Sequence, residues 1–241
     1  MIAVAGPQAR AVLQRLAPDW SLDRESFPFM SVREGVMAGI PVRVLRVSFT
    51  GELSYEIHVA CDCAAHLWQA VMHAGEPFGI TAYGTQAMHV LRAEKGFIIV
   101  GQDTDGTVTP IDLGMERMMS SDRQFIGARS LSRSDTRRAD RKQLVGILPE
   151  DPNLVLPEGA ALVAGELPRP RPRAGPTIPM LGHVTSSYWS ANLGRSFGLA
   201  LVQAGRARIG QWLWAPLDRH AARVQIVEPV FWDREGQRQH A

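Results

Sequence analysis

The chain has 241 residues, of which 45% are hydrophobic and 21% charged, with a formal net charge of +2. This is ordinary globular composition with room for one large core or two smaller ones, and the near-neutral charge excludes a polyanion-binding surface; no stacking or groove-reading nucleic-acid module accompanies it. No apolar run approaches bilayer length and no charged segment leads into an apolar core at the N-terminus, so the reading is a soluble, cytoplasmic protein with no membrane contact.

The chain opens on an apolar run, Ile2 to Ala5, expected as a buried strand. After a Gly-Pro turn an amphipathic helix starts at Gln8, with Val12, Leu13 and Leu16 on one face. A domain rarely begins in mid-strand, so the chain is expected to be the tail of something longer and to leave apolar surface at that strand. Phe27 to Met30 reads as a loop. β-Branched residues predict strands at Val36–Ile40 and Val42–Phe49, with a turn at Gly39-Ile40-Pro41. Thr50-Gly51-Glu52 breaks the second strand, and Tyr55 to Ala60 resumes it. Cys61 and Cys63 are too few for a zinc site and wrongly spaced for a thioredoxin-like motif. They read as buried or half-buried thiols of a reducing compartment.

Ala64 to Ala74 predicts a helix with a wide apolar stripe through Leu67, Trp68 and Val71. Thr85 to Lys95 predicts another, with Thr85 as N-cap, Gly96 just beyond its end, and Ala87, Val90, Leu91 and Glu94 one turn apart. Ile126 to Leu131 reads as a short helix in a charged connector. From Lys142 short β runs separated by Pro and Gly predict a small β-barrel or sandwich: Leu144–Leu148, Ala161–Val163, Gly182–Thr185, Gly198–Val202 and Val224–Val227. Trp212 and Trp214 alternate on a strand and are expected in the barrel core or at an interface. Leu167 to Met180, rich in Pro and carrying Arg169, Arg171 and Arg173, reads as an extended surface excursion. The fold class is therefore α+β followed by a C-terminal β-barrel.

The loop Gly101 to Pro110 is dense in Gly, Asp and Thr. As a calcium loop with Gly106 at position six, it offers no ligand at Gly101 and only the short Asp112 at position twelve. As a phosphate loop it has Thr107-Val108 where Lys-Ser/Thr is required. Asp and Thr capping their own turns is the better reading. Thr185-Ser186-Ser187 lacks a nucleophile elbow, and His66 and His73, two helical turns apart, cannot share a metal. Glu56 stands out because it lies among residues expected to be buried. Either Arg43, Arg46 or Arg92 neutralises it, or it accepts two hydrogen bonds from a ligand such as an aminopyrimidine.

Three segments together resemble the glycine-cleavage T-protein (aminomethyltransferase) family. They are Phe49-Thr50-Gly51-Glu52-Leu53-Ser54-Tyr55-Glu56-Ile57; Leu91 to Gly96 with Gly101 to Asp105 and Thr109-Pro110; and Gly182 to Ser186. The wording RAEKGFIIVGQDTDGTVTP and GHVTSSYWS resembles in particular the T-protein-like C-terminal part of heterotetrameric sarcosine oxidase alpha subunits. The resemblance implies tetrahydrofolate as cofactor, with Glu56 on the pterin, Phe49 stacking where T-proteins commonly have Tyr, and Tyr83 and Tyr188 lining the pocket. It implies capture of the one-carbon unit of oxidised sarcosine as 5,10-methylenetetrahydrofolate. Flavin and NAD belong to the complete complex, and the partners are the other subunits or the missing N-terminal half. A family Arg that contacts folate aligns with Met88. The family's catalytic Asp has no counterpart here, so no catalytic residue is assigned. The chain is expected to be inactive alone, whether as a truncated gene, a split subunit or an excised piece. A non-catalytic assembly module, or a fragment of an aminomethyltransferase, is the alternative. The domains expected are 1–122, a partial folate-binding domain; 123–141, a connector; and 142–236, the barrel.

Overall fold

A computed structural model of the chain describes residues 1–120, 122, 124–166, 177–218 and 220–241. The proline-rich excursion expected from Leu167 falls outside the described residues as far as position 176. The chain divides into two compact units, Met1–Lys95 with Asp233–Ala241, and Gly96–Trp232.

The first unit is an antiparallel four-stranded sheet with its first two helices on one face. Its elements are β1 (Ile2–Ala5), α1 (Ala9–Leu16), β2 (Val32–Met37), β3 (Ile40–Leu45), β4 (Ser54–His58), α2 (Ala64–Gly75) and α3 (Thr85–Glu94), and the strand order is β1-β4-β3-β2. Period-two alternation sends Val4, Val42, Val44, Tyr55 and Ile57 to one side. There they share a core with Leu13 of α1 and with Leu67 and Val71 of α2. The turn between β2 and β3 lies at Ala38-Gly39, both at positive φ (52° and 79°), not at Gly39-Ile40-Pro41. Two successive left-handed residues suit a tight hairpin, and Ile40 and Pro41 are thereby freed to begin β3.

Two other expectations change. β3 ends at Leu45 rather than Phe49, so Arg46 to Leu53 form an irregular connection. Thr85 is the first residue of α3, and Gly84 is its N-cap, without a side-chain cap. The stripe expected on α3 is buried only at its end: Ala87 is exposed, Val90 and Leu91 are half-buried and Glu94 is buried, with Arg92 and Ala93 buried beside it. Gly96 does take the left-handed turn after the helix, at φ +69°. β1 is an edge strand, yet the conspicuous apolar exposure is on the other edge, where Val32 and Val36 are exposed.

The second unit is a closed antiparallel barrel. β5 (Lys142–Pro149), β6 (Ala161–Leu162), β7 (Gly182–Ser190), β8 (Arg195–Gln203), β9 (Trp212–Pro216) and β10 (Ala221–Val227) pair in the order β6-β7-β8-β5-β10-β9. Reciprocal backbone hydrogen bonds of 2.9 Å between Val163 and Trp214 join the two ends. Closure removes both sheet edges. Val145, Ile147, Val184, Val202, Leu213, Val224 and Ile226 fill the interior. Trp212 and Trp214 share a face, as their spacing requires, but it is the outer one. Leu213 and Ala215 take the core, and the two indoles flank the Arg223 guanidinium at 4.7 and 5.8 Å. The short helix of the charged connector is a 3-10 turn, Ala128–Ser132.

The segment before the barrel is tied to it by charge. Asp112, 3% exposed, meets Arg141 at 2.8 Å and accepts from the Thr109 amide and hydroxyl at 2.8 and 2.9 Å. Burial pushes the Asp112 carboxyl up, but Arg141 and Thr109 outweigh it and hold the group below its ordinary 3.8. A depressed folded value contributes stability that is full above the unfolded value and is lost as pH falls through the folded one. The melting temperature of the chain should therefore drop faster below about pH 4 than that of Asp112→Asn. Parallel acid melting curves for the two would contradict this.

Candidate functional site

Glu56 is on the face of the four-stranded sheet opposite α1 and α2. Register places it between Ala3 of β1 and Leu45 of β3, with Val32 beyond, in one row across the sheet. The next row is Glu34, Arg43 and His58. The Glu56 side chain is 26% exposed, and its ion-pair contact is with His58 Nε2 at 3.8 Å. Two of the arginines considered as partners are engaged elsewhere: Arg43 pairs with Glu34, and the buried Arg46 donates to the carbonyls of Phe27 and Ala241.

Tyr83, on the segment leading into α3, stands close enough to feel that carboxylate. Loss of solvent, and then the Glu56 charge, push its phenol above the ordinary value of 10. It stays protonated and can donate. Phe49 is half-buried in the irregular Arg46–Leu53 connection. The fold thus leaves Tyr83, 43% exposed, within electrostatic reach of Glu56 and places Phe49 on the loop that leads into the Glu56 strand.

Tyr188 belongs to the second unit, where it is 8% exposed. Gln102 Nε2 donates to its hydroxyl at 3.3 Å, to Ser186 Oγ at 3.1 Å and to Glu158 at 2.9 Å. Beside it Asp103 is fully buried. Its Oδ1 accepts from the Thr185 and Ser186 hydroxyls at 2.6 and 2.7 Å, and its Oδ2 accepts from the Ile99 amide at 2.9 Å. Consecutive strand residues normally face opposite ways. A register shift between Val184 and Ser186 lets both hydroxyls reach one carboxylate. Asp105 does what a turn-forming Asp does, accepting from the Thr107 amide and hydroxyl at 2.8 and 2.6 Å. The Thr107 hydroxyl is the main cause that holds its carboxyl below the ordinary value.

The remaining candidates fall into structural roles. His66 contacts the Ala38 carbonyl at 3.0 Å and His73 lies 3.6 Å from Glu76. Cys61 is exposed rather than buried, and Cys63 is half-buried. Among the described residues no cluster of three His, Cys, Asp or Glu is placed to hold a metal, and no helix is long and apolar enough to cross a membrane.

An α+β sheet unit joined to a closed antiparallel barrel is the arrangement of the glycine cleavage T-protein family, and the chain belongs to that family. Residues 1–123 match the GCVT N-terminal domain, and residues 142–233 match the glycine cleavage T-protein C-terminal barrel domain. Within the family it is 49% identical over 238 residues to "Sarcosine oxidase subunit alpha" of Corynebacterium sp. (strain U-96), over 98% of this chain and 24% of that protein. It is 34% identical to "Aminomethyltransferase" of Shouchella clausii, over 97% of this chain and 60% of that one. The fold is shared with the glycine cleavage system aminomethyltransferase T of Bartonella henselae, at a TM-score of 0.77 and 24% identity, over 95% of this chain and 58% of that one. The chain thus spans about a quarter of the length of its sarcosine oxidase relatives.

Proposed function

We propose that this chain is a tetrahydrofolate-binding part of a sarcosine oxidase-type alpha subunit. The observation that carries the reading is Glu56: a carboxylate on the sheet face opposite α1 and α2, in one row with Ala3 and Leu45 and with no arginine among its ion-pair contacts. An aminopyrimidine edge presents two parallel N–H donors, which match the two oxygens of one carboxylate. In this reading Glu56 fixes the pterin edge, Tyr83 donates a hydrogen bond near it, and Phe49 stacks on the ring. Folate, when bound, accepts a one-carbon unit and carries it as the 5,10-methylene derivative. This chain's residues bind and orient. Oxidation of sarcosine by flavin, and NAD binding, fall to other parts of the complete assembly, whose subunits are the chain's partners.

Calorimetric titration of the 241-residue chain with tetrahydrofolate should give saturable binding at one site. A flat titration would remove the reading. A second reading, a non-catalytic assembly module, is favoured by the exposure of Val32 and Val36 on the edge strand β2. Under it, wild type and Glu56 variants would behave alike toward folate.

A further inference from the structure

The connection from Arg46 to Leu53 carries Phe49 and has no helix or strand of its own; backbone hydrogen bonds hold its ends, Arg46 to Met30 and Ser31 and Leu53 to Gly6, and side-chain contacts cover the tip between them. At its tip Gly51 has φ +80°, and any Cβ there would collide with the Lys95 side chain, which crosses directly over it. Lys95 is 6% exposed. Its ammonium donates to the Asp233 main-chain carbonyl and lies 3.3 Å from the Asp233 carboxylate. That carboxylate accepts from the amides of Gln237 and Arg238 at 3.0 and 3.1 Å, which turns the chain so that Arg238 donates to Glu52 at 2.8 Å. Glu52 is the neighbour of Gly51, so the contacts close into a ring: Gly51, Lys95, Asp233, Arg238, Glu52. Lys95 is the only member that both covers the tip of the connection and anchors the returning segment.

Resting on the folate reading, we propose that Lys95 is a positioning residue: through this ring it fixes the Phe49-bearing connection in the shape that stacks on the pterin. β4 itself is held by pairing on both edges, so Glu56 is set by the sheet and Phe49 by the ring. The two halves of recognition therefore depend on different contacts, and they should fail separately.

The test is a double-mutant cycle in the 241-residue chain, read as the dissociation constant for tetrahydrofolate. Lys95→Met keeps the stem over Gly51 and removes the ammonium. It should weaken binding about tenfold, as should Phe49→Leu, and the double variant should also lose about tenfold rather than a hundredfold. Lys95→Arg, which restores the cation, should recover binding to within about threefold of wild type. Asp233→Asn attacks the same pair from the other side and should show the same non-additivity with Phe49→Leu, which covers the case that Lys95→Met does not fold. Additive losses, or wild-type binding by Lys95→Met, would overturn this inference while leaving the folate reading intact. No binding by the wild-type chain would overturn both.

Discussion

Glu56→Ala should weaken tetrahydrofolate binding by about 2–4 kcal/mol, the worth of a charge-assisted hydrogen-bond pair. That corresponds to roughly 30- to 700-fold in the dissociation constant. The loss should be large because the substitution removes a charged acceptor that pairs with two N–H donors at once. Stability should barely change, since the side chain is partly exposed and its ion pair is a 3.8 Å contact to His58. Glu56→Gln is the sharper variant. It keeps shape and size but turns one of two acceptors into a donor, and it should lose nearly as much. A folate analogue lacking the pterin 2-amino group keeps only the ring N–H for Glu56, so it should bind wild type more weakly than tetrahydrofolate and lose less on Glu56→Ala. If that analogue and tetrahydrofolate respond equally to the substitution, Glu56 does not read the aminopyrimidine edge.

Asp103→Ala should destabilise the second unit by about 2–4 kcal/mol, because it strands buried partners rather than only deleting a contact. The Ile99 amide, the Thr185 hydroxyl and the Ser186 hydroxyl all donate to that carboxylate, and Asp103 is fully buried. Asp103→Asn keeps an acceptor and should cost less. Chemical denaturation gives the free energies. Amide exchange at Ile99 gives a local readout and should accelerate in the alanine variant even under conditions where the chain stays folded. A change within about 0.5 kcal/mol for Asp103→Ala would place the residue among ordinary surface positions and contradict the network.

The helices and most of the strands were legible because burial leaves a periodic trace. Val12 and Leu13 in α1, and Leu67 and Val71 in α2, are both expected and buried, whereas Leu16 is half-buried and Trp68, expected in the same stripe as Leu67 and Val71, is 46% exposed. The barrel was legible from its short β runs and turn residues. What could not be read has specific physical causes. The outward turn of Trp212 and Trp214 depends on which face of β9 the closed barrel encloses, and period two fixes only that they share a side. Asp103 looked like one more turn-forming Asp, like Asp105 two residues on. Its role arises from a bulge 82 residues away that turns two neighbouring hydroxyls the same way. The stripe on α3 was only partly legible because the buried end of the helix is polar: Glu94 was in it, but Arg92 and Lys95 were not, and these are held by partners rather than by apolar packing. In the site, Glu56 was conspicuous as a carboxylate in an apolar strand, and its proximity to Tyr83 came only with the fold.

The most direct test of the account is a crystal structure of the 241-residue chain grown with tetrahydrofolate. The account predicts the pterin on the face of the four-stranded sheet opposite α1 and α2, with its 2-amino and ring N–H groups within hydrogen-bond distance of both Glu56 carboxylate oxygens and Phe49 against the ring. Folate bound with its pterin away from Glu56, or density for folate nowhere on that face at saturating concentration, would contradict it.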